Sequence, residues 1–181
     1  MNVASVSASS CAERLVALHL PRYDEIPSID LYMDQLVGYL EEMLAPLYRP
    51  DEKIITRSMV NNYVKQGVLA SAAGKKYTRS HIAYLIVICT LKQTFSIAEI
   101  DRLIRMQIAS FDTHVAYDYY CEAFEAALRA LFSLGPTSPQ GLKSGASEGD
   151  FERDLVLAST AAVAYTLYIK ASIAVSDAEA R

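Results

Sequence analysis

Between Asp30 and Leu47 apolar residues return every three or four positions: Leu31, Leu36, Tyr39, Leu40, Met43, Leu44 and Leu47. Asp34, Gln35, Glu41 and Glu42 fall on the other side. That period predicts an amphipathic helix, capped by Asp30 and ended by Pro46 and Pro50. Upstream, residues 1–20 begin rich in Ser and Ala and predict a flexible N-terminus, which gains Leu15, Val16, Leu18 and Leu20 only near its end. Pro21 and Pro27 then predict an extended entry, because a residue before proline avoids the helical region.

A shorter helix is predicted over Thr56–Gln66, with Thr56 or Ser58 as its cap and Gly67 in the left-handed position that closes it. Met59, Val60, Tyr63 and Val64 share one side. Arg57, Asn61 and Lys65 share another, at spacings of four, with Asn62 and Gln66 beside them. After Val68 and Leu69 comes ASAAGKKYT, with Gly74 suited to a tight turn. Flanked by two short strands, residues 70–79 form a β-hairpin wing; otherwise they are a solvated loop.

Thr78 or Ser80 caps the next helix, which runs to about Gln93 around the nearly all-apolar Ala83–Leu91. Ser96 and Glu99 form a capping box that opens a further helix with Ile97, Ile100, Leu103 and Ile104 inward. Phe111–Leu134 predicts a long amphipathic helix with Val115, Tyr119, Phe124, Leu128, Leu131 and Phe132 on its apolar side. GPTSPQGLKSGASEGD, residues 135–150, then breaks the pattern and predicts a flexible linker. A last helix follows over 151–178, with Asp150 as its cap. Leu155–Val175 approaches the length of a membrane span but is diluted by Ser159, Thr160, Tyr165, Thr166, Lys170 and Ser172. We expect it to pack on the core or on a partner subunit, with a membrane as the alternative.

Composition narrows the picture. In 181 residues about half are apolar, which excludes global disorder. Cys11, Cys89 and Cys121 are scattered, without metal or redox spacing. The N-terminus has neither the basic nor the continuous apolar segment of a signal peptide, so a cytoplasmic protein is expected. Charge is more informative. The chain carries a net −4, yet from Lys53 to Ala98 it holds Lys53, Arg57, Lys65, Lys75, Lys76, Arg79 and Lys92 and no acidic residue. The other ten basic residues face all 21 acidic ones, so the remainder is −11. Clustered positive charge attracts a polyanion.

The polar side of residues 56–66 carries the groups that read DNA: Arg for guanine or phosphate, Asn or Gln for adenine. We expect Arg57, Asn61, Asn62 and Lys65 to face the major groove. Tyr63, Lys75, Lys76 and Arg79 are expected to hold phosphates, with Tyr77 counted among the DNA-binding residues. An ordinary solvated helix face is the alternative.

The succession of helix, short basic turn, apolar helix and Ser-Ile-x-Glu-Ile resembles the DNA-binding head of MerR-type regulators. Tyr63 followed by Gly67-Val68-Leu69 stands where that family has Tyr and a Gly-Leu-Leu turn. Lys75-Lys76-Tyr77 stands for its Arg-x-Tyr, and His81-Ile82, Leu85 and Ile88 follow at the family's spacing. Phe95-Ser96-Ile97-Ala98-Glu99-Ile100 matches its Phe-Ser-Leu-x-Glu-Ile, with Thr94 in place of Gly. The chain departs in the long connection between Leu47 and Thr56, and in having Asn62-Tyr63 for the family's tyrosine pair. Over residues 20–110, LPRYDEIPSIDLYMDQ, NNYVKQG and KKYTRSHIAYLIVICTLKQ resemble an uncharacterised bacterial domain family that contains this MerR-like unit.

The resemblance implies a mainly α fold: a MerR-like winged helix-turn-helix over 21–109, a small β-hairpin wing, and long C-terminal helices. The helix over 110–134 would serve dimerisation. The function expected is that of a homodimeric regulator bound to double-stranded DNA. A non-catalytic protein–protein interaction module on the same scaffold is the alternative. An enzyme is not expected, because His19, His81 and His114 are dispersed and no nucleophile elbow or Gly-rich phosphate loop is present. His114, Asp118 and Glu122 share a helical face near Asp112, a spacing more typical of a solvated stripe than of a metal site. No cofactor or metal is expected. Tyr117, Tyr119, Tyr120 and Phe124 are expected to form a core or dimer seam, with a small-molecule effector site as the alternative.

Overall fold

Ala83–Leu91 has no polar side, and a helix with no polar side must be enclosed. In the computed structural model, which describes residues 9–134 and 150–179, it is the centre of one of two units, Leu20–Asp118. The described residues are mainly helical, with one two-stranded antiparallel sheet.

In this unit a strand β1 (Leu31–Tyr32) leads into helix α2 (Met33–Leu44) and a 3-10 turn (Ala45–Leu47). Helix α3 (Arg57–Lys65), strand β2 (Lys76–Tyr77), α4 (Arg79–Leu91) and α5 (Ile97–Ser110) follow. The first helix, α1 (Ser10–Val16), and the last two, α6 (Thr113–Leu134) and α7 (Asp150–Glu179), complete the order. Helix α2 packs on α3, α4 and both strands, and α4 packs on α5. Leu36, Leu40, Leu44, Ile55, Val60, Ile82, Leu85, Ile86, Ile88 and Ile100 are all fully buried. Thr90, enclosed among them, satisfies its hydroxyl on the Ile86 carbonyl at 3.0 Å.

The helix expected from Asp30 starts later. Leu31 and Tyr32 pair with Tyr77 and Lys76, and the cap falls on Tyr32, whose N–H donates to Gln35 Oε1 at 2.9 Å. The stretch 70–79, expected to form a hairpin wing, is also shorter than a hairpin. Before β2 there is a single bridge, Ala73 to Lys76, closed by Lys76 N–H to Ala73 O at 3.0 Å. Gly74 (φ 58) and Lys75 (φ 62) occupy the turn, the two left-handed positions of a type I′ connection. Ala70, Ser71 and Ala72 are small and poor strand formers, so β2 takes its partner from β1 instead.

The long connection before α3 is pinned. Lys92 Nζ donates to the Ile54 carbonyl and lies 5.5 Å from the Tyr48 ring centre. The Tyr48 hydroxyl donates to the Cys89 carbonyl, and Gln93 Nε2 donates to Leu47 O at 3.2 Å. Lys92, counted in the basic island, is therefore a structural clamp.

The unit extends past residue 109, because Tyr117 and Asp118 bond back to its entry. Tyr117 Oη donates to Pro21 O at 2.8 Å, and Tyr23 N–H donates to Asp118 Oδ1 at 2.6 Å.

In the other unit, the described part of the stretch expected to be flexible forms helix α1. Ser9 caps α1, and Ala12 and Leu15 are buried. Helix α6 begins at Thr113 rather than Phe111, and Val115 is exposed. Tyr120, Cys121, Phe124, Leu128 and Phe132 form its buried side. The last helix packs within the same chain: Phe132 and Tyr168 lie 5.4 Å apart between ring centres, and Val163, Ala164 and Leu167 are buried. Helix α7 is long and apolar enough from Phe151 to Val175 to cross a membrane by length and composition. The linker expected over 135–150 lies outside the described residues except for Asp150, which is the first residue of α7 rather than a cap before it.

Candidate nucleic-acid interface

Thr56 opens α3 by accepting the Met59 N–H on Oγ1 at 3.2 Å. Gly67, at φ 72, closes it: Gly67 N–H bonds Val64 O at 3.0 Å and Val68 N–H bonds Tyr63 O at 3.0 Å. This pair of bonds is a Schellman closure. Nothing lies within 4 Å of a Cβ built on Gly67, so Gly67→Ala meets only the backbone penalty. We expect it to cost about 1–2 kcal/mol in a urea titration; no measurable change would show that the turn does not hold this conformation.

Of the nine residues expected at the interface, Arg57, Asn61, Asn62, Lys65, Lys75 and Lys76 are exposed. Arg79 is partly exposed. Tyr63 and Tyr77 are not surface groups. Both are buried, at 4% and 5% exposure, and belong to the core rather than to a phosphate contact. Burial pushes the Tyr63 phenol up to about 12 and raises that of Tyr77 as well.

The N-terminal end of α2 gathers part of this set. Asp34, in its first turn, pairs with Arg57 at the start of α3. Tyr32, at its cap, places its ring 5.6 Å from Lys76 Nζ. The first basic residue of α3 and the basic strand are thus brought to one place. Arg79 is engaged separately: Nη1 lies 2.9 Å from Asp24 Oδ1, and its guanidinium sits 5.5 Å from the Tyr23 ring centre. Lys65 and Lys75 form no ion pair among the described residues.

Sequence reasoning missed Asp24 and Asp34 as counter-ions, and Tyr23 and Tyr32 as platforms. No local signal identifies them, since each partner lies more than 20 residues away. The Asp34–Arg57 pair is exposed on both sides and so worth at most about 1 kcal/mol. A phosphate can displace it.

His114 and Asp118 do not gather with other ligands: no group of three His, Cys, Asp or Glu residues that could hold a metal occurs among the described residues. Cys89 is sealed beneath the connection to α3, with Sγ 3.8 Å from Ile54 O, and burial pushes its thiol up to about 11 from 9.0. Tyr63 shifts in the same direction. A pKa raised on folding means stability that is complete below pH 9 and lost as pH rises towards 11. The urea midpoint should therefore fall across that window, and less steeply in Cys89→Ala. A flat profile would mean that the thiol is accessible in the folded state.

A family model described as a domain of unknown function (DUF1836) matches residues 21–122, more than half of the chain. Neither a curated protein nor a solved structure matches the sequence. The match covers the whole span from Pro21, where a 3-10 turn (Tyr23–Glu25) interrupts the extended entry that the prolines predict, through β1, α3, β2 and α5 into α6, and the chain belongs to this family of domains of unknown function.

Proposed function

We propose that the unit Leu20–Asp118 is a MerR-like winged helix-turn-helix that binds double-stranded DNA, and that the protein is a non-catalytic transcriptional regulator acting as a homodimer in the cytoplasm. The observation that carries this reading is the convergence at the start of α2, where Asp34 meets Arg57 and Tyr32 meets Lys76. A helix bearing Arg57, Asn61, Asn62 and Lys65 on its open side is thereby tied to a basic turn bearing Lys75 and Lys76. Arg57, Asn61, Asn62 and Lys65 take the base edges and nearby phosphates; Lys75, Lys76 and Arg79 take the backbone. The homodimer is supported by the exposed row Tyr165, Ile169 and Ile173 on α7.

Selection of duplexes from a genomic DNA library tests this reading. The full chain is expected to enrich a shared motif, and Asn61→Ala to change the preferred base at one position while leaving total binding within several-fold. Enrichment no better than that of an unrelated acidic protein would reject it.

A second reading, a protein-interaction module on the same scaffold, is favoured by one observation. Ile29, just before β1, and Tyr32, within it, are exposed by 70% and 54%, close in sequence to Asp34, which already holds Arg57. A protein partner that stays bound at high salt would support it.

A further inference from the structure

The turn that closes α3 also forms a wall of a cavity of about 440 Å³, completed by the starts of α4 and α6 and by one side of α5. Val68, Tyr84, Ile104 and Ile108 supply its apolar lining, and His81 and Arg105 its nitrogen donors. None of these residues belongs to the proposed DNA face.

His81 carries a donor with no acceptor. Its Nδ1 lies 3.1 Å from the Thr78 backbone nitrogen. Thr78 Oγ1 lies closer still, 2.8 Å from Nδ1; because a backbone N–H can only donate, Nδ1 accepts from both Thr78 groups, and the ring proton is assigned to Nε2. Nε2 is buried and has no hydrogen-bond partner among the described residues. Buried polar groups are nearly always paired; His81 lines the cavity and its ring otherwise meets that of Tyr77 edge-on, 5.6 Å between centres, so an acceptor that enters the cavity and opens a path to Nε2 would complete it.

Arg105 supplies the second donor group. Its Nε donates to Asp101 Oδ2 at 2.8 Å and its Nη2 to Gly67 O at 3.1 Å. A guanidinium has five N–H donors, so three remain beyond these two bonds. Asp101 is the single carboxylate of the lining and is already committed to Arg105.

We propose that this cavity binds a small aromatic carboxylate. Its oxygens accept from His81 Nε2–H and from Arg105, and its ring lies against Val68, Tyr84, Ile104 and Ile108. The volume lies within the range that small-molecule sites occupy and admits one or two fused rings. Because Arg105 also holds the carbonyl of Gly67, an occupant touches the clamp on the end of α3.

The test is an NMR titration of the full chain with 2-naphthoate, followed at the backbone amides of Val68, Leu69 and Ala70, with 2-naphthylmethylamine as the cationic control. Saturable shifts are expected for the acid and not for the amine. His81→Glu keeps an acceptor for the Thr78 N–H, as glutamate does in a capping box, but has no donor to offer a carboxylate. It should weaken binding about tenfold. Ile108→Trp fills the mouth from a side chain 41% exposed and should abolish binding. Arg105→Met, at a side chain 61% exposed, carries the same test if H81E unfolds, and should also weaken binding about tenfold. No saturable shift, equal binding of the amine, or undiminished affinity in the folded variants would overturn the proposal. Binding is read without DNA, so this result and that of the DNA reading stand apart.

Discussion

Replacing Lys65, Lys75 and Lys76 with alanine is expected to weaken duplex DNA binding by roughly 10²–10³-fold for each protomer engaged at about 0.1 M salt, with the fold intact. Each phosphate neutralised contributes about 0.9 to the slope of log affinity against log salt, so each contact is worth roughly eightfold at 0.1 M relative to 1 M. Three contacts multiply to about 500-fold. These lysines are chosen because all are exposed and none forms an ion pair among the described residues. Arg57 and Arg79 must first give up Asp34 and Asp24. Surface substitutions of this kind usually change stability by less than about 0.5 kcal/mol, so an unchanged circular dichroism spectrum is the matching control. The check is fluorescence anisotropy on a labelled duplex. A loss of less than about threefold would remove these residues from the interface.

Ile55→Ala is expected to have the largest effect on stability, about 2–5 kcal/mol, the usual cost of emptying a sealed aliphatic site. Ile55 has no exposed surface, although it lies in the connection between the turn after α2 and helix α3. Around it the chain is tied by Lys92 on Ile54, Tyr48 on Cys89 and Gln93 on Leu47. The residue it adjoins, Thr56, caps the proposed reading helix. A loose connection would leave the start of that helix free to fray, whereas a pinned one presents Arg57 and Asn61 in a defined place. Urea unfolding followed at the amides of Val60 and Tyr63 measures the cost. A loss below about 1 kcal/mol would show that the connection is not packed as described.

What was legible in the sequence was local. The cap at Thr56, the left-handed Gly67 and the Ser96–Glu99 box each depend on residues within a few positions, and all three occur as expected. The enclosed helix over Arg79–Leu91 was legible because an all-apolar run behind a cap has nowhere else to go. Pairings distant in sequence were not legible. Leu31 and Tyr32 read as the first residues of a helix because Leu31 fits its period, and nothing near them announces strand partners more than 40 residues away. Tyr63 and Tyr77 illustrate an ambiguity of chemistry: a tyrosine serves equally as a phosphate donor or as a core side chain, and only packing decides. The formal charge of the basic island overstated its field for the same reason, since Asp24 and Asp34 lie outside it in sequence and against it in space.

Whether the open side of α3 and the turn at Lys75 meet phosphates is tested most directly by the salt dependence of duplex binding by the unaltered chain. Anisotropy titrations from about 0.05 to 0.3 M salt should give a straight line of log affinity against log salt. Its slope is expected to be roughly −2.7 per protomer if Lys65, Lys75 and Lys76 make the contacts, and roughly −4.5 if Arg57 and Arg79 exchange aspartate for phosphate. No binding at low salt, or a slope between zero and about −1, would contradict the proposed DNA interface.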